Sequence, residues 1–218
     1  GVYLDSSVPA LSTNDEGGTV PVFVRTGDHV QVPWNSDFRA AEGAFTVWIR
    51  YDGPARLGTA RSFLGMNYEY LGNPTVNMAV YNSSIWVYLD ERGGWDINNT
   101  ANSAAGSIVA GQWHHVAMTW GSAGLHVYID GVLQASKKNY QGVDTPDAKF
   151  GGEQPLFIGG GYDLFYSGTA PVGFDGAVAH VAMMSKQLTD TQIAEIAEVK
   201  PNLSIFDVED KSWAVVPE

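Results

Sequence analysis

The 218-residue chain contains no cysteine. A disulfide framework, a thiolate metal site and a cysteine nucleophile are therefore excluded together. Positive charge is also scarce: 12 Lys and Arg stand against 24 Asp and Glu, for a net charge of −12. A surface of that sign repels nucleic acid and anionic membranes, while it favours solubility and attracts divalent cations. No apolar run approaches the length of a membrane span. No apolar h-region follows Gly1, so neither membrane insertion nor a signal peptide is expected in this stretch. No G-x-S-x-G elbow presents a nucleophilic serine. The 5 histidines show no His-x-x-x-His or comparable ligand spacing.

What the chain does have is Val, Tyr, Trp, Asn and Gly, the composition of many short strands joined by long loops. Leu125, Val127 and Ile129 alternate with His126, Tyr128 and Asp130, the period of two expected of a half-buried strand. Asp130-Gly131 supplies the positive φ angles of a two-residue hairpin turn. Strands are expected at about 22–32, 44–50, 61–66, 75–81, 84–90, 113–120, 124–136, 155–159 and 174–184, separated by Gly, Asn and Asp. One helix is expected over 189–199. There Thr189 and Gln192 make a T-x-x-Q capping box, Ile193, Ile196, Ala197 and Val199 give an apolar face, and Pro201 stops the run. The fold class is all-β, a two-sheet antiparallel β-sandwich (jelly roll) with one short C-terminal helix. Residues 1–20 read as an N-terminal arm or linker, 21–200 as the sandwich, and 201–218 as a C-terminal tail that docks as an extra strand.

The stretch Gln112-Trp113-His114-His115-Val116-Ala117-Met118-Thr119 followed by Tyr128-Ile129-Asp130-Gly131 resembles the "W-H-H-V-A-x-T" and "Y-x-D-G" signature of laminin-G-like, concanavalin-A-like jelly rolls. Asp28 to Pro33 resembles that family's opening strand. Phe45-Thr46-Val47-Trp48-Ile49-Arg50 resembles its "F-T-x-x-x-W" strand, two residues shorter, a deletion that preserves which face each side chain occupies. Pro155 to Gly160, Phe174 to Val178 and Leu188 to Ile193 resemble its later strands and closing helix. In the family one ring of the His-His pair packs and the other reaches a backbone carbonyl. Trp48, Trp113, Trp120 and Phe157 fall in family strands and read as core.

The resemblance implies binding rather than catalysis. Related sandwich glycosidases carry an E-x-D-x-x-E strand. The nearest string here, Asp207-Val208-Glu209-Asp210, lies in the tail and reads as a solvated acidic segment. The expectation is a non-catalytic surface module that recognises a glycan or cell-surface ligand, as in adhesins, carbohydrate-binding modules or phage particles. Its setting would be extracellular, at a cell surface or on a virion. The alternative is a virion structural protein, a capsid decoration or tail-associated subunit, that uses the jelly roll to contact neighbouring subunits.

Candidate glycan contacts come from alternation. In 84–90, Ile85, Val87 and Leu89 face inward, which leaves Trp86, Tyr88 and Asp90 on the opposite face. The neighbouring strand presents Asn77 and Tyr81 there. Aromatic rings cover the C–H face of a sugar, and amide or carboxylate groups take its hydroxyls. The same pattern also fits a satellite core under a loop or the tail, so both readings stand. Loop aromatics Tyr68, Tyr70 and Trp95 extend the candidate surface, with Tyr162, Phe165 and Tyr166 as a second group. Calcium is the ion the resemblance implies, with Asp175, Asp163 and the carbonyl of Gly27 as ligands. The family's second acidic pair is replaced here by Ala179 and His180.

Overall fold

The computed structural model describes residues 10–13, 19–24, 28–53, 60–67, 74–89, 100–138, 155–161 and 172–199. The tail expected to dock as an extra strand lies outside them. In chain order the strands are β1 (Ala10–Thr13), β2 (Thr19–Phe23), β3 (Val30–Val32), β4 (Gly43–Tyr51), β5 (Arg61–Asn67), β6 (Pro74–Tyr81), β7 (Ser84–Leu89), β8 (Thr100–Asn102), β9 (Trp113–Trp120), β10 (Leu125–Ile129), β11 (Val132–Lys137), β12 (Leu156–Ile158), β13 (Gly160–Gly161), β14 (Val172–Gly173) and β15 (Gly176–Met184), and the helix α1 is Asp190–Glu198. A front sheet of six strands runs β3-β12-β5-β6-β7-β8, and a back sheet of seven runs β1-β2-β15-β4-β9-β10-β11. The pairings in both are antiparallel. The expected two-sheet sandwich with one helix is the observed architecture.

Alternation explains the core. β4 sends Phe45, Val47 and Ile49 inward, β9 sends Val116, Met118 and Trp120, and from the front sheet Val76, Met78, Val80, Ile85, Val87 and Leu89 meet them. Trp120 is fully buried, lies 5.6 Å from the Phe45 ring, and donates its indole N–H to the Ala40 carbonyl at 3.1 Å. Burying an aromatic of this size removes on the order of 150–250 Å² from water, and the hydrogen bond removes the penalty of burying its one polar atom.

Four expectations change. The strand read over 22–32 is two strands in different sheets, β2 in the back and β3 in the front. The segment read as an arm contains β1, which pairs with β2 from Ala10↔Val22 to Thr13↔Thr19, so the back sheet begins inside residues 1–20. β8 was not foreseen, because three residues are too few to show a period. Finally, Trp48 and Trp113 leave the main core. They sit on the outer face of the back sheet with Val20, Val22, Ala177 and Ala179. Phe157 is half-buried and meets His29 edge-on at 5.2 Å.

The helix forms where expected, and the Thr189–Gln192 capping box is complete. Its Ile193 packs on Ala117 and Tyr128 of the back sheet. Tyr128 donates its hydroxyl to Asp190 at 2.8 Å, tying the first turn of α1 to β10. At the other end α1 lies over the β10–β11 turn. A Cβ on Gly131 would stand 3.0 Å from Ala194 Cα, so turn and helix approach closely there and a larger residue would be crowded. Asp130 and Gly131 both have positive φ, 50° and 78°, as the Asp-Gly turn requires.

Candidate functional site

The outer face of the front sheet carries the aromatic residues singled out by alternation. The β6–β7 hairpin that presents them turns through Asn82 and Ser83, with φ of 50° and 58°. Tyr81 pairs with Ser84 across the turn, Ala79 with Trp86, and Asn77 with Tyr88. β8 continues the rows, setting Asn102 beside Trp86 and Thr100 beside Tyr88.

Burial divides these residues into two groups. Asn77 and Tyr88 are 0% exposed. Tyr88 packs with Ala60, Ala79 and Tyr81 in a cluster separate from the main core, and Asn77 Oδ1 accepts from Ser62 Oγ at 3.2 Å. Both therefore support the sheet face instead of presenting to a ligand, which corrects the platform expected of them and matches the satellite-core reading. Tyr81 and Trp86 are half-buried, and Asn102 is exposed. The Tyr81 and Trp86 rings meet edge-to-face, 5.1 Å between centroids at 69°. Ser84 anchors the indole to the hairpin turn. Its hydroxyl donates to the Tyr81 carbonyl at 2.6 Å and accepts the Trp86 indole N–H at 3.0 Å. Because that N–H is engaged within the hairpin, the ring offers its carbon surface, the part that suits the C–H face of a sugar. The expected members Asp90, Tyr68, Tyr70 and Trp95 lie outside the described residues. Ser84 and Asn102 were not foreseen; the i, i+2 spacing of Ser84 and Trp86 on one face was the available signal.

One ring of the histidine pair, His115, packs as the resemblance implies, but the other, His114, meets a backbone N–H and a carboxylate where a backbone carbonyl was expected. His114 Nε2 accepts from the Val109 N–H at 3.2 Å, so its proton sits on Nδ1, which donates to Asp130 Oδ2 at 2.8 Å. Asp130 Oδ1 also accepts the backbone N–H of His115 at 2.8 Å. Burial alone would raise the Asp130 pKa, yet the bonds from His114 and His115 outweigh it and hold it below the usual carboxylate range. The pair resembles a base with its orienting acid. However, the base nitrogen is occupied by a backbone amide, so it is not positioned to take a proton from a nucleophile. Its work is to tie β9, the β10–β11 turn and the segment near Val109 together. His115 packs on Trp48 at 5.5 Å with both ring nitrogens buried and unbonded. That burial pushes its pKa down to about 4, against the raising effect of the Asp130 charge.

Asp175 is the one expected calcium ligand among the described residues; Asp163 and Gly27 lie outside them. Its carboxylate is 3.5 Å from the Arg61 guanidinium, and its carbonyl accepts from the N–H groups of Asp52 and Gly53. Among the described residues no three His, Cys, Asp or Glu side chains converge as a metal requires. Among the described residues the group that faces this carboxylate is the Arg61 guanidinium.

A family model described as the concanavalin A-like lectin/glucanases superfamily, Laminin_G_3, matches residues 24–194. A sequence search of curated proteins found no match. Among solved structures, domain 4 of AbnA, an extracellular arabinanase from Geobacillus stearothermophilus, in complex with arabinotriose, aligns at 18% identity and TM-score 0.55, covering 88% of this chain and 82% of that one. The ligand-binding domain of botulinum neurotoxin serotype D in complex with N-acetylneuraminic acid aligns at 15% and 0.57, covering 86% of this chain but only 44% of its own. The SAP-like pentraxin of Limulus polyphemus aligns at 14% and 0.54, covering 81% and 80%. At these identities the likeness is one of fold.

Proposed function

The chain belongs to the concanavalin A-like lectin/glucanase superfamily, and we propose that it is a non-catalytic module that binds a glycan at the Tyr81–Trp86 end of the front sheet. The observation that carries this reading is the half-buried, edge-to-face aromatic pair whose indole N–H is engaged by Ser84 inside the hairpin. A ring fixed before binding loses little entropy on binding, which favours weak ligands such as sugars. Exposed Asn102, beside Trp86, supplies the amide that hydroxyls need. The sugar complexes of the arabinanase domain and the neurotoxin domain support the class of ligand. Of the neutral and acidic sugars in those two complexes, a net charge of −12 favours the neutral one here. Display at a cell surface or on a virion is the setting this reading implies.

The test is a glycan array followed by calorimetry on neutral and sialylated oligosaccharides. Neutral glycans should bind, and Trp86→Ala should weaken binding at least about tenfold, roughly 1.4 kcal/mol. Binding that survives Trp86→Ala undiminished would move the site elsewhere. A structural role through subunit contacts would instead show as concentration-dependent oligomers in sedimentation, with no glycan retained.

A further inference from the structure

Among the described residues the back sheet ends in β11, which pairs with β10 and is the last strand in the sheet order. Five of its six residues are exposed, and only Ala135 is partly covered. Val132 is 61% exposed and Leu133 42%, two of the few large apolar side chains left in water among the described residues. An outermost strand with apolar side chains offers its outer row of N–H and C=O groups as a pairing template, and proteins usually cover or blunt it.

The course of α1 says what is placed to cover it. The helix runs over the back sheet from Asp190, bonded to Tyr128, to Ala194 and Ala197, which lie against Gly131. Its C-terminus therefore stands beside the β10–β11 turn, where β11 begins. Val199, the residue after the C-terminal turn, is itself 66% exposed. Residues 200–218 leave from this point, and Pro201 follows at once, where no ladder N–H is needed. A strand as long as β11 spans about 20 Å, the reach of about six extended residues. After a short link at 200–202, residues 203–208 would therefore run the length of β11. Leu203 and Ser204 would then lie against its apolar start, Val132 and Leu133, and Ile205 and Phe206 against its middle. Asp207, Glu209 and Asp210 would arrive where β11 ends in Lys137 and Lys138. In a chain with twice as many acidic as basic residues, that match of sign is informative. At the opposite edge β1 already extends the sheet beyond β2, and it lies six strand spacings, about 29 Å, from β11.

We propose that residues 203–210 of the tail dock on the β11 edge of their own chain as an added strand parallel to β11. The inference is independent of the glycan site. It places the extra strand expected of the C-terminus on the edge away from the N-terminal hairpin.

The absence of native cysteine makes crosslinking clean. Gln134 is exposed, so Gln134→Cys leaves packing intact; a second cysteine is placed in turn at residues 203 to 208 of the full chain. A short thiol crosslinker should give an internally linked monomer, strongest at one register. Reversing charge with Lys137→Glu and Lys138→Glu should cut its yield several-fold. Linked dimers would reject the proposal in favour of a second copy on this edge, and no linkage at any position would reject docking there altogether. Independently of any added cysteine, deleting residues 202–218 should speed hydrogen exchange of the β11 amides about tenfold or more. Unchanged exchange would overturn the proposal.

Discussion

The Ser84 hydroxyl accepts the indole N–H of Trp86 at 3.0 Å while donating to the Tyr81 backbone carbonyl at 2.6 Å, so one small side chain ties the Trp86 ring to the turn of the β6–β7 hairpin. Ser84→Ala removes that tie without removing either ring. It should weaken glycan binding by about threefold to tenfold, because the indole must be ordered on binding instead of beforehand. Stability should fall by only about 1 kcal/mol, the net worth of a hydrogen bond with partners near solvent. Calorimetry and thermal melts on the same variant separate the two effects. Equal affinity for wild type and variant would show that the tie has no part in recognition.

Tyr88 and Trp86 alternate on the same face, yet the structure gives them opposite roles. Tyr88 is fully buried with Ala60 and Ala79. Tyr88→Ala should therefore cost about 3–5 kcal/mol in denaturant unfolding, the usual range for emptying an aromatic site. Half-buried Trp86 should cost clearly less when cut to alanine. If Tyr88→Ala melted like wild type, the satellite cluster would not be holding this face.

Asp130→Asn probes the tie between β9 and the hairpin. Asparagine can still accept the His115 N–H, but its amide N–H₂ would face the proton on His114 Nδ1. Moving that proton to Nε2 would orphan the Val109 N–H. The Asp130 side chain is 49% exposed, so the loss is moderated by water, and about 1–2 kcal/mol is expected. Hydrogen exchange at Val109 should rise even under conditions where β9 stays protected. Unaltered protection there would separate the two interactions.

The hairpin at Asp130-Gly131 and the start of α1 were legible because their chemistry is local. A positive-φ dipeptide and a T-x-x-Q box each act within four residues. The inward sets of β6 and β7 were legible for the same reason, since the alternation belongs to the strand itself. Which outward residues stay open is a different matter. Tyr88 and Trp86 have the same period, and only the neighbours brought by the fold, Ala60 and Ala79 against one and Ser84 against the other, tell them apart. Likewise Asp130 meets His114 across 16 residues, and Arg61 meets Asp175 across the sandwich. No spacing rule announces pairings of that kind. β1 was hidden by its surroundings, because Ser, Asn and Gly around Ala10–Thr13 read as a linker where the chain makes a paired strand.

The Arg61–Asp175 contact also bears on calcium. With a guanidinium 3.5 Å from the carboxylate, added calcium should leave the melting temperature unchanged at millimolar concentration. Bound ligand raises stability by RT ln(1 + [L]/Kd), so a site with submillimolar affinity would raise it measurably. A calcium-dependent rise abolished by Asp175→Asn would show that Asp175 leaves Arg61 to bind the ion.

Acid should destabilise the protein through His115. Folding buries this imidazole against Trp48 and lowers its pKa from 6.5 to about 4, with the Asp130 charge opposing only in part. The unfolded chain therefore binds a proton more readily than the folded one. The stabilisation is complete above about pH 6.5, declines as pH falls, and is lost by about pH 4. Over that window the loss amounts to about 3 kcal/mol, at roughly 1.4 kcal/mol per pH unit. Asp130, whose pKa is lowered from 3.8, loses its contribution only below that range. His180 is also lowered by burial, but it is exposed at the surface and contributes less. His115→Leu removes two buried nitrogens that have no partner, so at pH 7 it should be neutral or stabilising. It should also flatten the decline in urea-derived stability between pH 6.5 and 4. A variant that lost stability with the wild-type slope would place the acid sensitivity on another group.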